Sequence, residues 1–300
     1  MAHISLEEYI VEVGMDAVKS YIMLDSELRR RMILNYLRSK NITDVSVADI
    51  FKPETSNEAT FCKELNSYIA TSLRISPTPR VILTVSNSPD EETDETHFIG
   101  ILADKGKKPI QLYKFDTGIV VFEPKLLNSC LAKLPAMYQL VREDDKAGDC
   151  QISTQNDTFC QTWSAYYSTF RAMDPAFGMA LKEVSLSSSN LDRTAELYRL
   201  FGTFVLPAVG SDAGLKKVVF DGFNTSVQED MDSVINLPKY VDKLPKNPDE
   251  LHARLSVYFN RKIDKSRFYR LINLEAGDER NITSGGARRK TRRRRTSSKL

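Results

Sequence analysis

At 300 residues, with 41% hydrophobic and 9% aromatic content, the chain is long enough for one sizeable domain with embellishments or two small ones, and it has a globular make-up. No apolar run approaches the ~20 residues that span a bilayer, and the opening "MAHISLEEYIVEVG" has acidic residues and no basic n-region, so it does not read as a secretory leader. The formal charge of +2 conceals a division: residues 287–300 hold eight Lys or Arg and no acid, leaving a mildly acidic body.

In chain order, residues 5–40 carry helical apolar spacing through Ile10, Val13, Val18, Ile22, Leu28, Met32 and Leu37. A second helix is predicted over roughly 57–72, with Phe61, Leu65, Tyr68 and Ile69, and Pro77 and Pro79 end it. "RVILTVSN" (80–87) then reads as a buried strand and "SPDEETDE" (88–95) as an acidic loop. "THFIGILAD" (96–104), "KGKK" and "PIQLYKFD" (109–116) read as strand, turn and strand, which "IVVF" (119–122) extends. From Phe159 the positions Trp163, Tyr166, Tyr167 and Phe170 recur at helical steps, so a helix begins close to Cys160. Another helix is predicted over 191–206 with Asn190 as N-cap. "KKVVF" (216–220) reads as a short strand and 248–260 as a helix capped by Asn247, with Pro248 in its first turn. Residues 277–286 read as linker.

Four cysteines without a C-x-x-C pair predict neither a disulfide framework nor a zinc site, and point to a reducing compartment. A cysteine at the mouth of a helix is nevertheless where backbone N–H groups and the helix dipole favour a thiolate. A nucleophilic thiolate needs a base, and the sequence holds three histidines. His97 stands at the start of a strand after a surface loop; His3 lies near an end expected to fray, and His252 sits on a helix outside the mixed strand–helix region. Asp116 ends the strand after the one His97 begins, so an antiparallel hairpin brings the two ends together. Gln155, just upstream of Cys160, is a candidate donor to a developing oxyanion.

"HFIGILADKGKKPIQLYKFDTG" resembles the His-strand-turn-strand-Asp hairpin of the adenain-like (clan CE) cysteine proteases, which include adenovirus protease, the SUMO proteases and core-protein proteases of large DNA viruses. "QNDTFCQTW" is similar to their Gln-then-Cys segment, and the order His, Asp, Gln, Cys matches; the resemblance covers roughly residues 80–170. It implies His97 as general base, Asp116 as its orienting partner, Cys160 as nucleophile and Gln155 as oxyanion donor, with Gln151 the alternative because only four residues separate Gln155 from Cys160. It also implies a substrate-facing role for Phe98, where many members carry Trp, and for Trp163. "TFCQ" replaces the Asp-Cys-Gly of cellular members and fits the divergent viral branch.

The expected fold is α+β, a small mixed sheet packed against the Cys160 helix, with an N-terminal helical extension (1–75), a protease core (76–210), a C-terminal helical extension (211–276) and a flexible linker and basic tail (277–300). The expected activity is thiol-dependent hydrolysis after small residues, Gly-Gly-X, in a protein substrate, without metal or organic cofactor and without a membrane. It would serve structural-protein maturation or removal of a ubiquitin-like modifier. The alternative from another class is a degenerate, nucleic-acid-binding virion or structural protein that uses residues 287–300. The tail "SGGARRKTRRRRTSSKL" permits polyanion binding, self-cleavage after Gly286, or a peroxisomal address in the terminal Ser-Lys-Leu. The expected location is an intracellular reducing compartment, with packaging in a virion as one possibility and the peroxisome as the alternative.

Overall fold

The computed structural model of the chain describes residues 2–54, 57–86, 98–116, 125–142, 159–177, 199–260 and 280–283. Strand β1 (Ala2–Ser5) passes into helix α1 (Leu6–Val18) through a capping box: the Ser5 hydroxyl accepts from Glu8 N at 3.2 Å, and Glu8 Oε2 accepts from Ser5 N at 2.8 Å. A π-helical turn, Lys19–Met23, follows. Asp25 then caps α2 (Ser26–Ser39) by accepting from Leu28 N at 2.8 Å. The periodicity over 5–40 therefore resolves into two helices, parted at Asp25.

β2 (Val45–Phe51) precedes α3 (Glu58–Ile75), whose N-cap Asn57 accepts from Thr60 N at 3.1 Å. β3 (Arg80–Ser86), β4 (Phe98–Asp104) and β5 (Ile110–Phe115) come next, then α4 (Lys125–Ala132), β6 (Tyr138–Arg142) and α5 (Cys160–Met173). A second π turn, Phe201–Val205, leads into α6 (Leu206–Gly210), α7 (Ala213–Asp230) and α8 (Pro248–Asn260), and β7 (Arg280–Thr283) closes the described chain. As predicted, Asn247 caps α8, accepting from Glu250 N at 2.9 Å.

The class is α+β. Among the described residues a five-stranded mixed sheet has the order β2-β3-β4-β5-β6; its outer pairs are parallel and its two inner pairs antiparallel. Alternation sends Val81, Leu83, Val85, Ile99 and Ile101 to one face, where α3 and α4 cover them. Ile82, Leu102 and Phe115 go to the other face, under α5. The outer side of α5 joins α1, α2, α7 and α8 in one core: α2 and the first π turn pack against α5, and α7 and α8 pack against α1. No helix among the described residues is long and apolar enough to cross a membrane.

Four expectations change. "KKVVF" lies inside α7: Leu215, Val219 and Phe223 are buried at four-residue steps, and Asp212 caps the helix by accepting from Leu215 N at 3.1 Å. Five residues were too few to separate period 2 from period 3.6. Residues 280–283, expected as linker, form β7 and pair parallel with β1, His3 opposite Asn281; the start of the chain is thereby held rather than frayed. The sheet also takes its first strand, β2, from the stretch assigned to the N-terminal extension. Cys62 of α3 and Cys130 of α4 form a disulfide with Cα atoms 4.9 Å apart, against the expectation of none, because their pairing follows from helix packing rather than from spacing in the sequence.

Candidate active site

Helix α5 is set on the sheet by one close approach. A side chain at Gly100 of β4 would place its Cβ 2.6 Å from Ser168 Oγ and 2.7 Å from the Ser164 carbonyl oxygen, so only glycine admits the helix at this depth. Beside it, Phe115 of β5 stacks on Tyr167 with centroids 4.2 Å apart and planes 13° apart. At the far end the Arg80 guanidinium donates to the Ala172 carbonyl. Arg80 starts β3 and Ala172 lies near the end of α5, so α5 runs antiparallel to β3 and in the direction of β4. Its first residue, Cys160, is one helical turn before Ser164. It thus projects toward the end of the sheet where β3 finishes, β4 begins and β5 runs into Asp116.

Phe159 stands at the N-cap of α5 and supplies no side-chain acceptor to the first turn. Its ring packs edge-on against Phe201 at 5.6 Å, and the Lys19 ammonium of the first π turn lies 5.8 Å from the ring centroid. Cys160 is half-buried and not disulfide-bonded, and its thiol donates to Gln161 Oε1 at 3.4 Å. Cys160 is thus the first residue of a 14-residue helix, the end at which the helix dipole favours negative charge.

Asp116 directly follows β5. Its carboxylate Oδ2 lies 3.4 Å from Lys114 Nζ, and Lys114 Nζ donates to Asn128 Oδ1 of α4 at 3.0 Å. The three groups meet on the α4 side of the sheet, at the same end as Cys160. Lys114 and Asn128 were missed in the sequence. The available signal was the two-residue step from Lys114 to Asp116, which puts both on one face of a strand whose other members on that face are Ile110 and the buried Leu112.

Phe98 and Trp163, to which the resemblance gives substrate-facing roles, are core residues here, 3% and 0% exposed; Trp163 meets Tyr166 edge-on at 6.0 Å. His97, Gln155 and Gln151 lie outside the described residues, as do the acidic loop, 119–122, 190–198 and the tail. His252 is engaged elsewhere: its Nε2 shares a hydrogen bond with the Leu206 carbonyl at 2.9 Å, where α8 crosses α6. Among the described residues no group of three or more His, Cys, Asp or Glu is arranged to hold a metal ion. Comparison with protein-family models, with curated proteins and with solved structures finds no match for the chain.

Proposed function

We propose that the chain is a thiol peptidase of adenain-like type, with Cys160 as nucleophile, His97 as general base, Asp116 as the carboxylate that orients it and Gln155 as oxyanion donor. The observation that carries this reading is that three chain segments reach the same end of the sheet, Cys160 from the α5 side and the Asp116 carboxylate from the α4 side. Cys160 opens α5 there, β4 begins there at Phe98, the residue after His97, and β5 runs into Asp116.

In the proposed reaction His97 takes the Cys160 proton, and the thiolate attacks the carbonyl carbon of the scissile peptide. The tetrahedral oxyanion collapses as His97 returns the proton to the amine, which leaves with the C-terminal fragment. Water, deprotonated by His97, then attacks the thioester and frees the N-terminal fragment and the thiol. The substrate class is a protein carrying Gly-Gly-X, either a structural precursor or a conjugate of a ubiquitin-like modifier.

A glycine-vinyl-sulfone peptide and iodoacetamide should both label Cys160, located by peptide mass mapping. Cys160→Ala should abolish hydrolysis of a Gly-Gly-X peptide with the melting temperature nearly unchanged, because a small, half-exposed side chain is lost. Hydrolysis that persists in Cys160→Ala would sink the assignment.

A second reading rests on the charge division. The fourteen residues 287–300 carry eight cations beside a net acidic remainder, the electrostatic footprint of a segment that contacts nucleic acid. It is compatible with peptidase activity. It stands alone, as a degenerate nucleic-acid-binding protein, if Cys160 proves inert to both reagents.

A further inference from the structure

Lys114 is a charged side chain in a buried strand. It is 3% exposed, and on its own face of β5 it stands between Leu112, which is fully buried, and Asp116. Hiding an ammonium is costly unless a counter-charge and hydrogen bonds compensate it. Both are present: Asp116 Oδ2 at 3.4 Å and Asn128 Oδ1 at 3.0 Å. The Asp116 side chain is itself only 10% exposed. A buried lysine held in this way is poorly explained as packing, since a leucine or methionine would fill the same space without the desolvation cost.

We propose that Lys114 is a positioning residue, whose function is to fix the carboxylate of Asp116; this rests on the reading of Asp116 as the group that orients His97. Asp116 follows the last residue of β5, beyond the ladder that holds Phe115 opposite Gly100, so backbone pairing alone leaves its side-chain torsions weakly specified. An ammonium already tethered to α4 through Asn128 restricts them by drawing Oδ2 toward the α4 side. The arrangement also ties the geometry of the strand end to α4, and α4 is bound to α3 by the Cys62–Cys130 disulfide two residues beyond Asn128.

A double-mutant cycle on the full-length chain tests this, with kcat, KM and melting temperature measured on a Gly-Gly-X peptide for the parent, Lys114→Met, Asp116→Ala and the double variant. Lys114→Met should lower kcat about 10-fold with KM little changed, and the double variant should be no worse than Asp116→Ala alone, as expected when one residue acts only through the other. Asn128→Ala, which loosens the ammonium but keeps every charge, should lower kcat less, and that loss should also vanish in the Asp116→Ala background. It serves in place of Lys114→Met if the latter does not fold. Losses that multiply with that of Asp116→Ala would overturn the inference while leaving Asp116 in its role. An Asp116→Ala variant with unchanged kcat would overturn both.

Discussion

On one face of the five-stranded sheet, Val81, Leu83, Val85, Ile99 and Ile101 meet Phe61, Leu65 and Ile69 of α3 and Leu127 and Leu131 of α4. On the other, Gly100, paired with Thr84 of β3, meets Ser164 and Ser168 of α5, and the hydroxyls of Thr84, Thr162 and Ser168 are buried without a hydrogen-bond partner. The first face sets its helices at a distance by side-chain volume and is further fixed by a disulfide. The second sets its helix by leaving a side chain out, so that backbone nearly touches backbone. A volume-filled layer can relax around a lost methyl group, but a backbone contact has nothing soft to yield. The layer without slack is the one that carries Cys160.

The sharpest test of that contrast is a cavity on the first face. Leu83→Ala should cost about 3 kcal/mol in urea unfolding, the usual scale for a buried Leu truncation. Hydrolysis and Cys160 alkylation, corrected for the folded fraction, should be unchanged. If activity falls in step with stability, the two faces are not separable.

Gly100→Ala should have the smaller effect on stability, about 1–3 kcal/mol, because a single methyl group is forced against α5. Its effect on the site should be the greater. One of the atoms it meets is the Ser164 backbone oxygen at 2.7 Å, so α5 must move and Cys160 with it. Full activity per folded molecule, read with the same peptide, would break the comparison.

Ser168→Ala should change least. Its hydroxyl has no partner, and removing it should leave stability within about 0.5 kcal/mol of the parent or raise it slightly. Added to Gly100→Ala it relieves the 2.6 Å contact but not the one with the Ser164 oxygen, so rescue should be partial. Complete rescue in thermal unfolding would mean that the backbone contact is not what sets the depth of the helix.

Elements announced by short-range chemistry were legible in the sequence. β3 and β4 are apolar runs between turn-forming residues, α5 shows its aromatic period from its first turn, and α8 is marked by Asn247 and Pro248. β2 was hidden because its register shifts between Val47 and Ile50, which breaks the alternation a strand is recognised by. β7 was hidden because "RNIT" has turn-like neighbours, and its pairing depends on residues at the opposite end of the chain. In the candidate site, Cys160 at a helix start and Asp116 at a strand end could be read locally. Lys114 with Asn128, and Cys62 with Cys130, could not, since each pair spans two elements whose packing no local pattern encodes.

The pairing of β1 with β7 has a temporal consequence. Ala2–Ser5 lie against Arg280–Thr283, and the helix that follows β1 depends on late partners too: Tyr9 donates to Asp230 Oδ2 at 2.9 Å, and Gly14 abuts Leu255. At synthesis rates of about 5–20 residues per second, Arg280 is made roughly a quarter of a minute to a minute after Ser5. Until α7 and α8 have been made, which takes most of that interval, the apolar side of α1, with Ile10, Val13 and Val18, is on the nascent chain without the C-terminal surfaces that bury it. That waiting segment is where a chaperone would find its longest opportunity to bind.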